Sequence, residues 1–420
     1  MVLIVFGVFA LTLVIGVPVG FAIALSAMAA LAAGDISMLV VVQRMFASID
    51  SFPLIAVPFF ILAGDILSRG SISGHLVDFA QSILGRVRGG LSVVSVAAGV
   101  FFASISGSGA ATTAVVGTSL IPQLNKHGYK ASPSAALIAA AGTIGVVMPP
   151  SIPMVLYAVV AGQSVTLLFR NGFIPGILMA LALVVIAIIQ AYKHGYPKGD
   201  KFSIRVAVRA FSKAFWGLIM PVIILGGIFS GVFTPSEAAV VAVVYAALVS
   251  KLIYRDFSLR DFYQIMVGSA RTSAVIMLII ACSGALSWVM ANWRIPGQIA
   301  NTVLGFSDNR YVIMLLISLV ILLAGAFLET SSAIVLLTPV FLPLVNYLGI
   351  NLIHFGVIFV VGLAIGMITP PIAINLFVAS SITGIPIERI AKSVTPCFLG
   401  LTVIFFIIVF LPLFFPAIIW

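Results

Sequence analysis

The chain has 420 residues, of which 62% are hydrophobic and only 8% charged, and its formal net charge is +10. A soluble domain of this composition would expose apolar patches far larger than soluble proteins show, so the composition excludes a soluble protein. A charge excess of this size would suggest nucleic-acid binding in a soluble protein. Here the basic residues lie in loops between apolar segments, which indicates a membrane surface, and no nucleic-acid partner is predicted.

Several apolar runs reach the length of roughly 20 residues that a helix needs to cross the hydrocarbon core. The predicted membrane segments include 1–17 with 18–34, 170–192, 214–232 and 393–416. The two cysteines, Cys282 and Cys397, lie in apolar segments, so neither a metal site nor a disulfide framework is predicted. The chain is therefore predicted to be an all-α multi-pass membrane protein in contact with the lipid bilayer.

The distribution of basic residues predicts the topology. If segments 90–124 and 311–347 are re-entrant hairpins rather than pairs of full crossings, nearly all Lys and Arg fall on one face of the membrane. Of the 21 basic residues, only four lie opposite, namely Arg44, Arg170, Arg294 and Arg310. The positive-inside rule makes the basic face cytoplasmic and places both termini outside. If the hairpins were full crossings, the basic loops of the first half would scatter across both faces.

An internal repeat appears when the sequence is compared with itself at a shift of 221 positions, the difference between Pro122 and Pro343. Six helix-breaking residues then coincide with six others: Pro122, Gly128, Gly145, Pro149, Pro150 and Pro175 with Pro343, Gly349, Gly366, Pro370, Pro371 and Pro396. Gly/Pro-interrupted hydrophobic segments at matching places in two halves are typical of secondary transporters and indicate where the substrate binds. The predicted topology makes the two halves inverted.

The repeat and the topology together predict the organisation of the chain. The predicted units are scaffold helices at 1–68, an amphipathic arm at 69–88, a transport unit with an inward-opening hairpin at 89–192, a cytoplasmic linker at 193–213, mainly scaffold helices at 214–290, a second arm at 291–310 and a transport unit with an outward-opening hairpin at 311–416. In such a protein the scaffold stays fixed while both transport units move together.

Each hairpin has a polar tip and is followed by a broken helix. The tips are Ser106–Gly109 and Glu329–Ser332, and the breaks lie at Pro149–Pro150 and Pro370–Pro371. Adjacent prolines lack N–H donors and disfavour helix before them, so both helices must unwind there. Unwound backbone at membrane depth has to be buried or line a cavity, so we expect the four features to converge. The alternative is that the tip glycines serve close helix packing and the prolines only bend helices.

Charged and polar side chains in apolar segments are few and therefore informative. Glu329 either contributes to the site or satisfies N–H groups at a helix start, and Arg294 either meets a carboxylate substrate or a lipid headgroup. Asn375 and Thr383 either hydrogen-bond the substrate or hold helices together. The remaining two carboxylates are interpreted as structural, Glu237 as a first-turn helix residue and Asp65 as a residue at a helix end near the inner face.

Five ordered motifs carry a resemblance to a known family: SGSGAATTA, MPPSIP, GVFTPSEAA, FLETSSAIVLLTP and GMITPPIAINLF. Together they resemble the large membrane subunit of TRAP transporters, the DctM-like family, over essentially the whole chain. The resemblance implies an elevator-type carrier in a bacterial inner membrane, driven by a sodium gradient. It also implies a small four-helix membrane subunit and a periplasmic substrate-binding protein that delivers carboxylate-bearing substrates such as dicarboxylates or sialic acid.

The resemblance also implies site residues by position. One sodium site would comprise Ser106, Gly107 and Ser108 with Gly145 and Pro149. The other would comprise Glu329, Thr330 and Ser331 with Gly366, Thr369 and Pro370. The predicted substrate contacts are Ser108, Arg294, Glu329, Asn375 and Thr383. No cofactor is predicted apart from sodium as coupling ion.

Other function classes fit the residues less well. A channel needs a continuous polar lining, whereas the polar residues here cluster at two tips. An intramembrane enzyme needs a nucleophile with a base or a metal-spaced set of His, Asp or Glu, which the sequence lacks, so no catalytic residue is predicted. The four histidines lie near loops, which disfavours a buried proton relay and favours sodium. An ion-coupled carboxylate carrier that works without a binding protein, or a channel, remains the alternative.

Overall fold

The computed structural model describes residues 1–199, 202–305, 307 and 309–414, and these residues form 19 α-helices joined by short connections. The helices of the first half are α1 Val2–Val14, α2 Val19–Ala33, α3 Leu39–Ile49, α4 Ala56–Arg69, α5 Ile72–Leu84, α6 Gly90–Ser106, α7 Gly109–Lys126, α8 Ala131–Gly142, α9 Ile152–Ala161 and α10 Val165–His194. Those of the second half are α11 Ile204–Phe229, α12 Pro235–Leu248, α13 Leu259–Asn292, α14 Ile295–Leu304, α15 Arg310–Phe327, α16 Thr330–Tyr347, α17 Leu352–Gly366, α18 Ile374–Thr383 and α19 Ile387–Phe414.

Eight helical segments of the described chain are long and apolar enough to cross a membrane. This confirms the predicted class, an all-α multi-pass membrane protein. Many of the shorter apolar helices belong to the hairpin and break regions, where Gly and Pro interrupt the sequence, and they include α6, α9, α17 and α18.

The predicted repeat is visible in the order and length of the helices. In the first half α7 begins at Gly109 and α8 at Ala131, and in the second half α16 begins at Thr330 and α17 at Leu352. Both pairs of starts differ by 221 positions, the shift found in the sequence. The opposite orientation of the two halves in the membrane stays a prediction.

Both broken helices unwind where the prolines require it. In the first half α8 ends at Gly142, a 3₁₀ turn covers Thr143–Val146, and α9 starts only at Ile152. In the second half α17 ends at Gly366 and α18 starts at Ile374. The predicted breaks at Pro149 and Pro370 are thus confirmed.

Helices in the two segments predicted as arms pack against the hairpin helices. Helix α5 packs against α6 and α11 through Ile72, Leu76 and Ala80, which are buried, and α14 packs against α16. Helix α11 begins at Ile204, so only the first part of the segment 193–213 predicted as a linker connects the halves. The remainder forms the first turns of α11, because its apolar residues recur at helical spacing.

The hairpin and break regions of the two halves pack into one body. The Tyr157 hydroxyl on α9 donates to the Leu352 carbonyl at the start of α17, with an oxygen–oxygen distance of 2.7 Å. The hydroxyls of Ser132 on α8 and Ser393 on α19 lie 2.7 Å apart. Helix α4 packs between α12 and α13, where buried alanines allow the helices to approach one another closely.

Candidate functional site

The first hairpin tip is a closed ring of hydrogen bonds. The Ser108 N–H donates to Ser106 Oγ at 3.3 Å, and the hydroxyls of Ser106 and Thr112 lie 3.0 Å apart. The Thr112 hydroxyl donates to the Ser108 carbonyl at 2.8 Å. Gly107 makes the reversal between α6 and α7 in the left-handed region, with φ of 60°, which glycine adopts without a Cβ penalty. The tip therefore presents uncharged oxygens in a small space.

The second tip is organised by a carboxylate. Glu329 precedes α16, and one of its oxygens accepts from the Ser332 N–H at 3.0 Å while the other accepts from the Ser331 hydroxyl at 3.0 Å. Ser108 holds the equivalent position before α7, where its hydroxyl accepts from the Ala111 N–H at 3.4 Å. The predicted role of Glu329 in satisfying N–H groups at a helix start is therefore present in the structure.

Two glycines let the breaks press against the hairpins. A Cβ on Gly145 would lie 2.7 Å from the Ser108 carbonyl oxygen and 2.7 Å from Thr112 Oγ1. A Cβ on Gly366 would lie 2.2 Å from the carbonyl carbon of Gly325 on α15. These glycines are equivalent in the repeat, so each half uses the same device to bring unwound backbone against its hairpin.

The two tips face one cavity of about 330 Å³. Six predicted site residues line it: Ser106, Gly107, Ser108, Glu329, Thr330 and Ser331. Residues that flank the breaks complete one side, and residues of α4 and α13 form the other. The expected convergence of tips and breaks is therefore observed.

Four helix N-termini point partial positive charge toward this cavity. The first turns of α7, α9, α16 and α18 all contribute to its lining. Side chains cap the first three of these helices, whereas α18 starts after Ala373 without a side-chain cap. Free N–H groups and the helix dipole attract anions, and four N-termini at one place make the cavity suited to a negative group.

Two carboxylates also line the cavity, Glu329 from the second tip and Asp65 from α4. Its lining, within the part of the chain that the structure describes, contains no Lys or Arg. An anion bound between the helix N-termini would therefore experience repulsion from both carboxylates unless a cation were bound with it.

The other predicted site residues lie outside the lining. Gly145 and Gly366 lie directly behind the hairpins, as described, and Pro149, Thr369 and Pro370 lie in the two breaks. Asn375 Nδ2 donates to the Ala139 carbonyl of α8 at 3.1 Å, so Asn375 joins the two broken helices. The Thr383 hydroxyl donates to the Ala379 carbonyl at 2.7 Å, and Arg294 lies exposed before α14. The roles of these residues in binding stay predictions.

The two carboxylates for which the sequence predicts structural roles, Glu237 and Asp65, have different surroundings in the structure. Glu237 forms a capping box with Thr234, with a carboxylate–N–H distance of 2.8 Å, which confirms its role at the start of α12. Asp65 lies a turn before the end of α4, accepts from the Ser269 hydroxyl at 2.6 Å and lines the cavity. The helix-end interpretation missed this position, and the unusual carboxylate within an apolar helix was the signal that could have found it.

The fold is similar to that of two solved membrane proteins. The crystal structure of the Alcanivorax borkumensis YdaH transporter superposes with a TM-score of 0.67, at 16% identity, over 90% of this chain and 88% of that chain. The Neisseria gonorrhoeae MtrF structure gives a TM-score of 0.62, at 14% identity, over 88% of this chain and 84% of that chain. At these identities the likeness concerns the fold alone.

Sequence comparison defines the family. Residues 6–417 match the family described as "Tripartite ATP-independent periplasmic transporter, DctM component". The chain is 39% identical to the C4-dicarboxylate TRAP transporter large permease protein DctM of Pseudomonas aeruginosa over 88% of this chain and 86% of that protein. It is 35% identical to the sialic acid TRAP transporter large permease protein SiaM of Vibrio cholerae over 95% of this chain and 94% of that protein.

A further relative is longer than this chain. The isethionate TRAP transporter permease protein DctMQ of Oleidesulfovibrio alaskensis is 40% identical over 97% of this chain, which spans 64% of that protein. With the match to nearly all residues, these relatives show that the chain belongs to the DctM family of TRAP transporter large permease subunits.

Proposed function

We propose that this chain is the large membrane subunit of a sodium-coupled importer for a small organic acid in a bacterial inner membrane. It works with a small four-helix membrane subunit and a periplasmic substrate-binding protein, and it performs no catalysis. The observation that carries the proposal is the cavity between the hairpin tips, where four helix N-termini meet two carboxylates.

The helix N-termini support an anionic substrate. Their N–H groups stabilise a carboxylate or a sulfonate without a basic side chain. The cavity volume of about 330 Å³ lies within the range of small-ligand sites. Relatives named for C4-dicarboxylate, sialic acid and isethionate all carry small organic anions, and the last of these is a sulfonate. The substrate panel should therefore include both acid types.

The carboxylates support cation coupling. An anion entering beside Asp65 and Glu329 gains affinity when a cation occupies the oxygens of the tips, because the cation offsets the repulsion. At the first tip the available oxygens are uncharged and do not titrate, and hard oxygen ligands of this kind suit sodium. The affinity for the anion and the affinity for sodium are then linked, which is the thermodynamic requirement of symport.

Uptake into proteoliposomes tests the proposal. The chain is reconstituted with its small subunit, the binding protein is added outside, and accumulation of a labelled dicarboxylate, acidic sugar and isethionate is measured under an inward sodium gradient. We expect one of the three to accumulate only with sodium and binding protein. Equal accumulation with potassium in place of sodium would refute the coupling. Accumulation without the binding protein would instead support the carrier that works alone.

The position of the cavity supports an elevator motion. Both tips and both breaks belong to one packed body, whereas Asp65 and Thr272, which line the opposite side, belong to α4 and α13. A substrate held between the tips can reach either face of the membrane if that body slides along α4 and α13.

Cross-linking tests the motion. The rings of Phe173 on α10 and Phe229 on α11 lie 6.0 Å apart between centroids, across the boundary between the two bodies. In a background with Cys282 and Cys397 replaced by Ala, linking F173C to F229C with a short bifunctional thiol reagent should stop transport. Linking S132C to S393C, which lie within the moving body, should leave transport intact and serves as the control. Normal transport by a fully linked F173C/F229C protein would exclude the elevator.

A further inference from the structure

A second cavity, of about 500 Å³, lies among the segments predicted to face the cytoplasm. We call it the basic pocket, because Arg86, Lys198, Arg209 and Lys213 line it, and Asp78 is the one carboxylate among the lining residues that the structure describes. These cations come from three separate segments: the end of arm α5, the connection after α10 and the first turns of α11. Their convergence is therefore a product of the tertiary structure and not of one basic run in the sequence.

The wall that carries Lys198 is fixed by backbone contacts. The Gly89 N–H donates to the Pro197 carbonyl at 3.0 Å, and Arg88 pairs with Lys198 in an isolated antiparallel bridge. Arg88 Nε also donates to the Tyr196 carbonyl at 3.2 Å. The connection is thus tied to the loop before the first hairpin, so the pocket is built into the fold.

Helix α11 supplies a second attraction for anions. Arg209 and Lys213 are one turn apart on the face of α11 that lines the pocket, near its N-terminal end. Ser203, which directly precedes the first residue of α11, lines the pocket, but its side chain makes no capping hydrogen bond. The first N–H groups of this 26-residue helix therefore add to the field of the basic side chains.

The pocket also has an apolar side that faces outward. Phe202 is 47% exposed and Val206 is 57% exposed, and both line the pocket beside the cations. Lys213 directly precedes the apolar part of α11, and the partly exposed Trp216 follows it within one turn, as is typical of the headgroup level of a bilayer. A ligand here would place its negative group against the cations and an apolar part against Phe202 and Val206.

We propose that the basic pocket binds the phosphate headgroup of an anionic phospholipid from the cytoplasmic leaflet. Basic pockets between helices on the cytoplasmic side are suited to such headgroups. A soluble phosphate compound would use the same cations but would gain nothing from the exposed apolar residues, which is why the lipid is the favoured source. The pocket is separate from the cavity between the hairpin tips, so this binding does not depend on the proposed transport function.

Native mass spectrometry of the purified full-length chain tests the proposal. Titration with phosphatidylglycerol should give saturable binding that phosphatidylcholine does not match. The double substitution R209Q/K213Q should weaken phosphatidylglycerol binding by about thirtyfold, since two cations near the headgroup are removed. The control K251Q/R255Q removes two basic residues from another predicted cytoplasmic loop and should bind as the unsubstituted chain does.

Three results of the binding measurements would overturn the proposal. They are equal binding of phosphatidylglycerol and phosphatidylcholine by the unsubstituted chain, equal loss in the two double variants, and binding of glycerol phosphate as tight as that of the lipid. The first comparison needs no substitution, so it stays decisive if R209Q/K213Q fails to fold. A photoactivatable phosphatidylglycerol should in addition label peptides that contain Phe202 and Val206, and labelling only elsewhere on the chain would contradict the assignment.

Discussion

The two hairpin tips share a backbone plan but differ in chemistry. At the first tip the Ser106 and Thr112 hydroxyls and the Ser108 carbonyl form an uncharged ring. At the equivalent place of the second tip, the Glu329 carboxylate accepts from the serine-rich start of α16. The two halves therefore share the geometry needed to reverse the chain between two helices, while the charge at the tip differs between them.

The breaks that follow the tips differ in burial. Residues 143–151 of the first break are buried throughout, whereas Pro370, Pro371 and Ile372 of the second break are exposed. The N–H of Ile372 donates to the Ala326 carbonyl at 3.1 Å, so the second break is held to α15 by backbone contact. A substitution in the first break therefore meets packed protein on all sides. The second break has fewer contacts, and those with its own hairpin are closer.

The largest expected effect concerns those close contacts. In G366A the new Cβ would meet the backbone of Gly325 at 2.2 Å, and in G145A it would meet the Ser108 carbonyl oxygen at 2.7 Å. Backbone atoms cannot move aside without straining the helices to which they belong. We therefore expect G366A to abolish uptake and to lower the free energy of unfolding by about 1–3 kcal/mol, and we expect smaller losses of both in G145A.

G226A is the matched control for both substitutions, since a Cβ on Gly226 of α11 meets nothing within 4 Å. Thermal unfolding of the purified proteins and sodium-driven uptake provide the measurements. If G366A shows the same thermal unfolding and the same uptake as G226A, the close packing of the second break on its hairpin contributes to neither stability nor transport.

The second-largest effect is expected when the negative charge of Glu329 at the second tip is removed. E329Q keeps a carbonyl oxygen for the Ser332 N–H but loses the negative charge. If this carboxylate helps to hold sodium, the sodium concentration for half-maximal uptake should rise by about tenfold to a hundredfold.

S332A provides the comparison, because it removes one hydroxyl donor to the carboxylate and keeps the charge, and Ser332 is not among the predicted sodium ligands. We expect it to change the sodium dependence far less than E329Q does. An unaltered sodium dependence in E329Q would leave the carboxylate with a helix-capping role alone.

Removal of a neutral oxygen at the first tip should be milder. S106A deletes one member of the hydroxyl ring, and loss of a neutral hydrogen-bond partner costs about 1 kcal/mol, or roughly a fivefold weaker response to sodium. Ser104 lies two residues earlier on α6, and its hydroxyl donates to the Phe101 carbonyl of the same helix at 2.8 Å, so S104A is the control. Sodium titration of uptake decides the matter: equal behaviour of S106A and S104A would favour the close-packing interpretation of this tip.

The smallest effect is expected across the cavity, at Asp65 on α4. D65N removes a negative charge that lines the cavity, so the apparent affinity for a transported anion should rise by about twofold to threefold, as for a solvent-screened charge pair. S269A removes the hydroxyl that donates to Asp65 but keeps the charge, and it should leave the affinity near that of the unsubstituted chain. A weaker affinity in D65N, measured from the substrate dependence of uptake, would mean that Asp65 aids binding rather than opposing it.

Much of the fold could be predicted because Gly and Pro act on the backbone locally. The breaks at Pro149 and Pro370, the reversal at Gly107 and the helix Ile72–Leu84 follow from residues within a few positions of each other. The repeat could be recognised for the same reason, since helix-breaking residues keep their spacing when packing residues drift. The ordered motifs likewise sufficed for the family, because each one covers a short continuous segment.

The composition of the cavity was decided by the tertiary structure. Asp65 and Glu329 are 264 positions apart, the difference of their numbers, yet they line the same space, while Asn375 points its amide to Ala139 and not into the cavity. The rotation of each helix about its axis determines which residues face inward, and that rotation is set by the packing of small residues such as Gly145 and Gly366 against distant segments. Sequence spacing therefore determined where the chain must unwind, and only the packing of the helices decided which side chains meet there.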